Sequence, residues 1–306
     1  MADAFPILML IERPSQWLLG GLDDRYDLRH APGPGITVAI TGGGEGIDAT
    51  TIDACPDLKL IAVCAVGYDK VDVAHAHARG IAVTNTPDVL TDDVADLALA
   101  LMLSVSRKVA LHDHYVREGR WVREGTPPLT RKLTGQKIGI LGYGRIGHAI
   151  AERVKPIAGE IAYYARSEKP DAEWRYIGDP VALADWADML VVAVAGGKGT
   201  AGLVSREVIA ALGPEGVLIN IARGSVVDEP ALVDALVSGR LGGAGLDVFA
   251  DEPNVPEALL GLESVVLLPH QGSATRETRA AMAQLVLDNV EAFVAGKPLL
   301  TPVPAA

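Results

Sequence analysis

Cysteines are scarce in this chain: only Cys55 and Cys64 occur among its 306 residues. Two cysteines cannot build a disulfide framework, and these two do not have the spacing of metal ligands. We therefore interpret both as core residues, and the sequence predicts no metal site.

Basic residues are also few. The chain has 27 Lys and Arg against 39 Asp and Glu, which gives a formal net charge of -12. Proteins that bind nucleic acids need a basic face to contact the phosphate backbone. The acidic balance therefore argues against a nucleic-acid partner and is typical of an ordinary cytosolic protein.

Long apolar runs and targeting signals are missing as well. The most apolar stretch, residues 97–105, is shorter than the roughly 20 residues that span a bilayer. The first ten residues, MADAFPILML, lack the basic segment and the cleavage site of a signal peptide. We expect a cytoplasmic protein with no membrane partner.

The most informative feature that is present is the segment KIGILGYGRIG at residues 137–147. A short apolar run ends in a glycine cluster, and a segment compatible with a helix follows at 148–154. Gly142 permits a tight turn, Gly144 lets the backbone approach phosphate oxygens, and Gly147 lets the helix pack close to the strand. The helix N-terminus offers N–H groups to an anion. This pattern predicts a dinucleotide-binding unit.

Apolar runs alternate with helical patterns along the whole chain. Strands that alternate with helices are typical of α/β folds with parallel sheets. The predicted helices lie at residues 92–103, 205–212, 229–238 and 277–294. The predicted strands lie at residues 7–11, 37–40, 58–63, 81–83, 138–141, 160–165, 189–194, 217–221, 245–249 and 265–268.

The length of the chain suits two domains. We place the first domain at residues 1–98 and the dinucleotide domain at 99–278. The last helix crosses back, so residues 279–306 rejoin the first domain through the tail at 299–304. A chain that leaves a domain and returns to it predicts a hinged, two-lobed molecule with a cleft, and ligands favour clefts.

Three polar clusters interrupt the apolar sequence. They contain Arg223 (NIARG), Glu252 (LDVFADEP) and His270 (LLPHQGS). All three follow predicted parallel strands, at the sheet edge where ligands bind in open α/β folds. An arginine, a carboxylate and a histidine at one edge indicate an anion site, a partner that tunes a pKa and a proton carrier.

At these motifs the chain resembles the D-isomer-specific 2-hydroxyacid dehydrogenases. The resemblance covers nearly the whole length and rests on CAVGYDKVDV, VTNTPDVLTDDVADLALALML, REGRW, GILGYGRIGHAIA, VLINIARGSVVDEPALVDAL, LGGAGLDVF, DEPNVP and LLPHQGSAT. Within the family the chain is most similar to the glyoxylate/hydroxypyruvate and hydroxyphenylpyruvate reductases. The resemblance implies a flavodoxin-like substrate-binding domain and a Rossmann domain with the active site in the cleft between them. It also implies reduction of a 2-oxo acid to the D-2-hydroxy acid.

The resemblance further implies a role for each motif residue. Arg223 binds the substrate carboxylate and keto oxygen, His270 protonates the keto oxygen, and Glu252 is the partner of His270. The backbone N–H groups of Val66 and Gly67 hold the carboxylate. The implied cofactor contacts, with Asp247 anchoring the nicotinamide amide, are Gly142, Gly144, Arg145, Ile146, Gly147, Ala195, Thr200, Ile221, Ala222, Arg223 and Asp247.

The choice of cofactor depends on the end of the second strand of the nucleotide domain. An NAD-specific site usually has Asp or Glu where Ala165 stands, to bond the ribose 2′-hydroxyl. Here Arg166, Ser167 and Lys169 follow instead, and they can bind a 2′-phosphate that a carboxylate would repel. The sequence predicts NADPH, with NADH as a weaker alternative, provided that Glu168 points away.

Several alternatives stay open. Glyoxylate or hydroxypyruvate is the expected substrate, and an aryl pyruvate or 2-ketogluconate is the alternative, because one methylene changes discrimination by only about 1–3 kcal/mol. A nucleotide-sensing corepressor is the alternative of another class, against which the intact Arg223, Glu252 and His270 argue. The family implies a homodimer through the nucleotide domains, to which residues 92–121 contribute.

Overall fold

A computed structural model describes residues 5–22 and 26–304 of the chain. Its contacts divide the chain into two units. The first unit runs to Leu90 and resumes at Ser273, and the second unit is Thr91–Gly272. The first unit is therefore discontinuous in sequence, whereas the second is one continuous segment.

The division between the units falls a few residues before the predicted boundaries at 98 and 278. Helix α4 (Thr91–Arg107) and helix α12 (Arg276–Val294) explain the difference. Each predicted boundary would cut one of these helices, but a continuous helix packs as one body. The structure places all of α4 in the second unit and all of α12 in the first.

The first unit contains a parallel sheet of five strands in the order β2-β1-β3-β4-β5. This is the flavodoxin-like order. The strands are β1 (Phe5–Met9), β2 (Tyr26–Arg29), β3 (Val38–Gly42), β4 (Leu60–Cys64) and β5 (Ala82–Thr84). The shorter helices are α1 (Gln16–Gly21), α2 (Ala49–Asp53) and α3 (Val73–Ala78).

Apolar side chains cover both faces of this sheet. In β1, Ile7 and Met9 point to one face and Leu8 to the other, as the two-residue period of a strand requires. Helix α12 packs on the face of Ile7 with a stripe that includes Val286 and Val290. The C-terminal tail pairs with this unit through the Val303 N–H, which donates to the Val83 carbonyl at 2.8 Å.

The second unit contains a parallel sheet of seven strands in the order β12-β11-β10-β9-β6-β7-β8. The six strands from β8 to β11 have the Rossmann order, which reverses between β6 and β9, and β12 adds a seventh strand next to β11. The alternation of the sequence thus predicted the α/β fold class and the parallel sheets correctly. The strands are β6 (Lys137–Leu141), β7 (Glu160–Tyr164), β8 (Arg175–Tyr176), β9 (Met189–Val192), β10 (Val217–Asn220), β11 (Gly243–Leu246) and β12 (Val265–Leu267).

The helices of the second unit lie between these strands or precede them. Besides α4 they are α5 (Val109–Arg117), α6 (Arg120–Glu124), α7 (Arg145–Val154), α8 (Pro180–Trp186), α9 (Arg206–Leu212), α10 (Glu229–Val237) and α11 (Glu257–Leu260). No helix within residues 5–22 and 26–304 combines the length and the apolar character needed to cross a membrane.

Candidate active site

Three chemically active side chains follow three neighbouring strands of the second unit. Arg223 comes three residues after β10, Glu252 lies in the loop after β11, and His270 lies in the loop after β12. The three strands are paired in parallel, so their carboxyl ends meet at one edge of the sheet. The structure therefore brings the three predicted residues to the same edge.

His270 and Glu252 form a direct pair. The Nδ1 atom of His270 lies 2.8 Å from Oε2 of Glu252, and the other carboxylate oxygen accepts the Phe249 N–H at 3.1 Å. The carboxylate is thus held from two sides and fixes the orientation of the ring. Because Nδ1 is occupied, Nε2 is the ring nitrogen that remains for a substrate.

The charge of Glu252 is maintained by its neighbours. Burial alone would raise the pKa of its carboxyl, but four effects together outweigh burial and hold that pKa below its ordinary value. They are the hydrogen bond and charge of His270, the N–H of Phe249 and the charge of Arg223. Glu252 is therefore an anion at neutral pH and can stabilise a protonated imidazole.

Asn220, at the end of β10, holds the backbone that carries Arg223. Its side chain is buried, donates from Nδ2 to the Arg223 carbonyl at 3.0 Å and accepts the Ala222 N–H on Oδ1 at 3.0 Å. The Arg223 guanidinium donates to the Ala222 carbonyl at 2.8 Å. Sequence reasoning missed this role of Asn220. An amide at the end of a run of buried apolar residues was the available signal.

Asp247 holds the turn that presents His270. The backbone of His270 has a φ of 54°, a conformation that residues other than glycine seldom adopt. The Asp247 carbonyl accepts the His270 N–H at 2.9 Å, and its carboxylate accepts the N–H groups of Gln271 and Gly272 at 2.6 and 2.8 Å. Successive N–H groups of this kind form an anion-binding concavity. Here the anion is a carboxylate of the protein itself.

The Asp247 side chain is buried in this concavity, with 1% of its surface exposed. Burial raises the pKa of its carboxyl, although the N–H groups of Gln271 and Gly272 act in the opposite direction. A carboxylate has about four acceptor positions, so the two hydrogen bonds leave capacity for a further donor. The implied contact of Asp247 with a nicotinamide amide stays a prediction.

The glycine turn lies between β6 and α7, at the switch in strand order. Gly142 has a φ of 110°, and an added Cβ would meet the Val194 backbone, so this position requires glycine. At Gly147 an added Cβ would overlap the Gly142 carbonyl, which explains the close packing of helix and strand. At Gly144 an added Cβ would meet no protein atom within 4 Å.

Helix α7 begins at Arg145, three residues before the predicted segment at 148, because the second half of the glycine motif is already helical. Its N-cap is Gly144, which offers no side-chain oxygen to the first N–H groups of the helix. Packing does not require glycine at 144, and the helix has no cap of its own there. Both observations fit a dinucleotide whose pyrophosphate lies against this turn.

The segment after β7 carries the predicted 2′-phosphate residues. Arg166, Ser167 and Lys169 are all exposed and lie within five residues of Tyr164, the last residue of β7. Their positive charge and hydroxyl group fit a phosphate in this place. The charge of Glu168 opposes this arrangement, and its side chain is also exposed.

The remaining predicted contacts lie in other loops. Thr200 donates its hydroxyl to the Ala195 carbonyl at 2.6 Å, so these two residues form one loop after β9. Ile221 and Ala222 directly follow β10 and are buried. In the first unit, Val66 and Gly67 follow β4, where the Asn85 side chain donates to the Val66 carbonyl at 2.9 Å.

Comparison with known proteins confirms the resemblance. The family model described as D-isomer specific 2-hydroxyacid dehydrogenase, NAD binding domain, matches residues 99–272. Hydroxyphenylpyruvate reductase of Plectranthus scutellarioides is 55% identical over 88% of this chain and 85% of its own length. 2-Ketogluconate reductase of Gluconobacter oxydans is 48% identical over 88% of this chain and 87% of its own length.

Solved structures agree with these relatives. The NADPH-dependent glyoxylate/hydroxypyruvate reductase of Sinorhizobium meliloti, in complex with NADP and malonate, has a TM-score of 0.93. It is 43% identical, and the alignment covers 97% of this chain and 96% of that chain. The likeness thus extends over both units and not only over the glycine motif.

Proposed function

We propose that this chain, which belongs to the D-isomer specific 2-hydroxyacid dehydrogenase family, reduces a small 2-oxo acid with NADPH. Membership makes it an NAD(P)-dependent oxidoreductase. The substrate, the preference for NADPH and the roles of individual residues are the parts that we propose. The glyoxylate or hydroxypyruvate type is the substrate class we favour, and the product is the D-2-hydroxy acid.

The residues at the edge of the second sheet can perform the required chemistry. NADPH, when bound, supplies the hydride that reduces C2 of the oxo acid. The Arg223 guanidinium binds the carboxylate and the keto oxygen, because its planar fork can bond two oxygens at once. His270 donates a proton from Nε2 to the keto oxygen as negative charge develops there, and Glu252 stabilises the charged ring. In the first unit, we propose that the N–H groups of Val66 and Gly67 hold the carboxylate.

The observation that carries the proposal is the 2.8 Å pair of His270 and Glu252 at the strand edge that also presents Arg223. Its test is His270→Ala, assayed with glyoxylate and hydroxypyruvate. We expect kcat to fall by about 10²–10⁴, while NADPH binding measured by fluorescence is retained. His77→Ala, on helix α3, is the matched control. Near-normal turnover in the His270 variant would contradict the assignment.

The corepressor alternative makes a different prediction for the wild type. A binding protein would take up the dinucleotide but would show no turnover with any 2-oxo acid. The intact His270 and Glu252 pair favours the reductase.

The preference for NADPH is supported by three exposed residues, Arg166, Ser167 and Lys169, and by the missing acid at Ala165. The test compares kcat/KM for NADPH and NADH in the wild type and in Arg166→Ala. We expect the variant to lose preference by about tenfold, as for one charge-assisted contact. Arg206→Ala, an exposed arginine on α9, is the control. Equal use of both cofactors by the wild type would contradict the proposal.

Which 2-oxo acid the enzyme prefers is a separate part of the proposal. The relatives act, by their names, on hydroxyphenylpyruvate, 2-ketogluconate, glyoxylate and hydroxypyruvate. A panel of these 2-oxo acids assayed with NADPH ranks them by kcat/KM. A preference for the aryl pyruvate or for 2-ketogluconate would replace the favoured substrate with that alternative.

We also propose a homodimer formed through the second unit. Helices α5 and α6 expose apolar side chains, among them Val116, Trp121 and Val122. Exposed apolar patches of this kind are typical of protein interfaces. Sedimentation of the wild type and of Val122→Glu tests this: the wild type should be a dimer and the variant a monomer. A cytoplasmic location is proposed alongside, and cell fractionation tests it.

A further inference from the structure

Two tyrosines in neighbouring strands hold the segment at residues 165–169, which we call the phosphate loop. We propose that Tyr163 and Tyr176 are positioning residues that fix this loop in the shape that receives the 2′-phosphate of NADPH. The inference rests on the proposed preference for NADPH and explains how the protein maintains it. Neither tyrosine is among the residues predicted to touch the cofactor.

Tyr163, in β7, holds the last residue of the phosphate loop. Its ring is buried, with 1% of the residue exposed. Its hydroxyl accepts the Lys169 N–H at 2.8 Å and lies 3.4 Å from the Lys169 carbonyl, to which it donates. A buried hydroxyl with both functions used is a specific anchor for the backbone.

Tyr176, in β8, holds the first residue of the same loop. Its hydroxyl donates to the Ala165 carbonyl at 3.3 Å. Tyr163 and Tyr176 are register partners in the sheet, and their ring centroids are 5.5 Å apart. The two hydroxyls therefore hold the two ends of one five-residue loop from adjacent strands.

The anchors matter because the side chains of the loop extend into solvent. Arg166, Ser167, Glu168 and Lys169 are exposed, so their side chains are not fixed by packing in a core. A guanidinium binds a phosphate strongly only when both N–H groups meet oxygens in the correct geometry. Holding the backbone in advance removes part of the ordering cost of binding.

A third tyrosine connects the phosphate loop to the glycine turn. Tyr143, between Gly142 and Gly144, stacks on the Tyr163 ring with centroids 4.3 Å apart and planes at 30°. The hydroxyl of Tyr143 lies 3.0 Å from Nδ1 of His148 on α7. The pyrophosphate and the 2′-phosphate belong to one ligand, so their binding groups need a fixed separation. Ring stacking on Tyr163 supplies such a connection.

The decisive variant is Tyr163→Phe, which keeps the stacked ring and removes only the hydroxyl. We expect KM for NADPH to rise by about 3- to 10-fold, the effect of one hydrogen bond. KM for NADH and kcat should stay within about twofold, because neither depends on the 2′-phosphate. Inhibition by adenosine 2′,5′-bisphosphate should weaken by the same factor as KM for NADPH, whereas inhibition by AMP should not change.

Two further variants serve as comparison. Tyr176→Phe should produce a smaller shift in the same direction, because its hydrogen bond is longer. Tyr164→Phe removes a hydroxyl from the next residue of the same strand, whose ring packs against the apolar core; the cofactor preference should not change. Exchange of the Lys169 amide hydrogen should accelerate in Tyr163→Phe alone, which detects the anchor without any cofactor.

The possible outcomes separate this inference from the proposed function. If the wild type prefers NADPH and Tyr163→Phe retains that preference, the anchoring role is wrong while the proposed cofactor stands. Equal losses with NADPH and NADH would indicate a merely structural residue and would also overturn it. A wild type without preference for NADPH overturns both, and this is seen before any variant is made.

Discussion

Each of the two units contains a glycine-rich loop that joins a parallel strand to a helix. The two loops differ in how the N–H groups of the following helix are satisfied. In the first unit the loop is at residues 42–46, between β3 and α2. In the second it is at residues 142–147, which run from the end of β6 into the first turn of α7. By glycine content alone the first loop, GGGEG, would be at least as good a candidate for binding phosphate as the second, GYGRIG.

The loop of the first unit satisfies its polar groups with other groups of the protein. The Asp48 carboxylate caps α2 by accepting the Thr51 N–H at 2.8 Å. The Thr41 hydroxyl donates to the Gly46 carbonyl at 2.6 Å, and the Lys70 ammonium donates to the Gly44 carbonyl at 2.6 Å. This loop is a closed structural turn with a carboxylate at the helix N-terminus, where an anionic ligand would otherwise bind.

The loop of the second unit lacks a corresponding cap. Gly144 is the N-cap residue of α7 and has no side chain to accept the helix N–H groups. Glycines permit the turn in both units, whereas the residue at the N-cap decides whether an anion can bind.

The largest expected effect comes from placing an N-cap carboxylate in the second loop, which should make it as unable to bind phosphate as the first. Gly144→Asp gives α7 the carboxylate that α2 has, and the added Cβ meets no neighbouring atom. We expect Tm to stay the same or rise, while KM for NADPH rises by about 100-fold because the carboxylate takes the N–H groups and repels phosphate. Steady-state kinetics and thermal unfolding measure both effects.

The controls for this variant use the same change in the other loop and a neutral change in the same loop. Gly44→Asp adds the charge where an added Cβ also meets nothing, and its kinetics should match the wild type. Gly144→Ala should raise KM by about tenfold or less, because it adds bulk without charge. Unchanged KM in Gly144→Asp would show that the pyrophosphate does not lie against this turn.

Removing the cap from the first loop should have an intermediate effect, on stability alone. Asp48→Ala deletes the acceptor of the Thr51 N–H, so α2 begins with an unpaired donor. We expect a lower Tm with kcat and KM unchanged. A change in cofactor KM would mean that the first loop takes part in binding after all.

The smallest expected effect is on the pH dependence of stability. The backbone N–H of Thr51 holds the pKa of Asp48 below its ordinary value. His270, the Phe249 N–H and Arg223 together hold the pKa of Glu252 below its ordinary value. A lowered folded pKa stabilises the protein above the unfolded value, about 3.9 for Asp and 4.3 for Glu. That stabilisation is lost as the pH falls through the folded pKa. Between pH 7 and pH 3, the Tm of Asp48→Asn and of Glu252→Gln should therefore fall by less than the Tm of the wild type.

Much of this fold was predictable from the sequence because its strands are buried. Strands such as β4, LIAVC, and β9, MLVV, read as continuous apolar runs and were located to within a few residues. The two strands that were missed, β2 (YDLR) and β8 (RY), are short and polar. Both pair at the margin of their sheet, where one side stays open and no apolar run is needed.

The candidate site was predictable in its chemistry but not in its support. Arg223, Glu252 and His270 were recognisable because each is a polar group at the end of an apolar strand. Asp247 holds the turn of His270 by accepting backbone N–H groups. Nearly every residue type has such a group, so the sequence carries no signal for this interaction. The hydroxyl of Tyr176 reaches Ala165 only through the register of β8, a strand that was not predicted.

The discontinuity of the first unit has a consequence for how the protein is made. Its core includes Val286 and Val290 of α12, and its edge strand β5 is joined by Val303. A ribosome that moves from the N-terminus therefore releases the whole second unit before the first has its full complement of contacts. During translation the second unit should therefore fold first. The first ninety residues can complete their core only after the C-terminal segment, which starts at Ser273, has emerged.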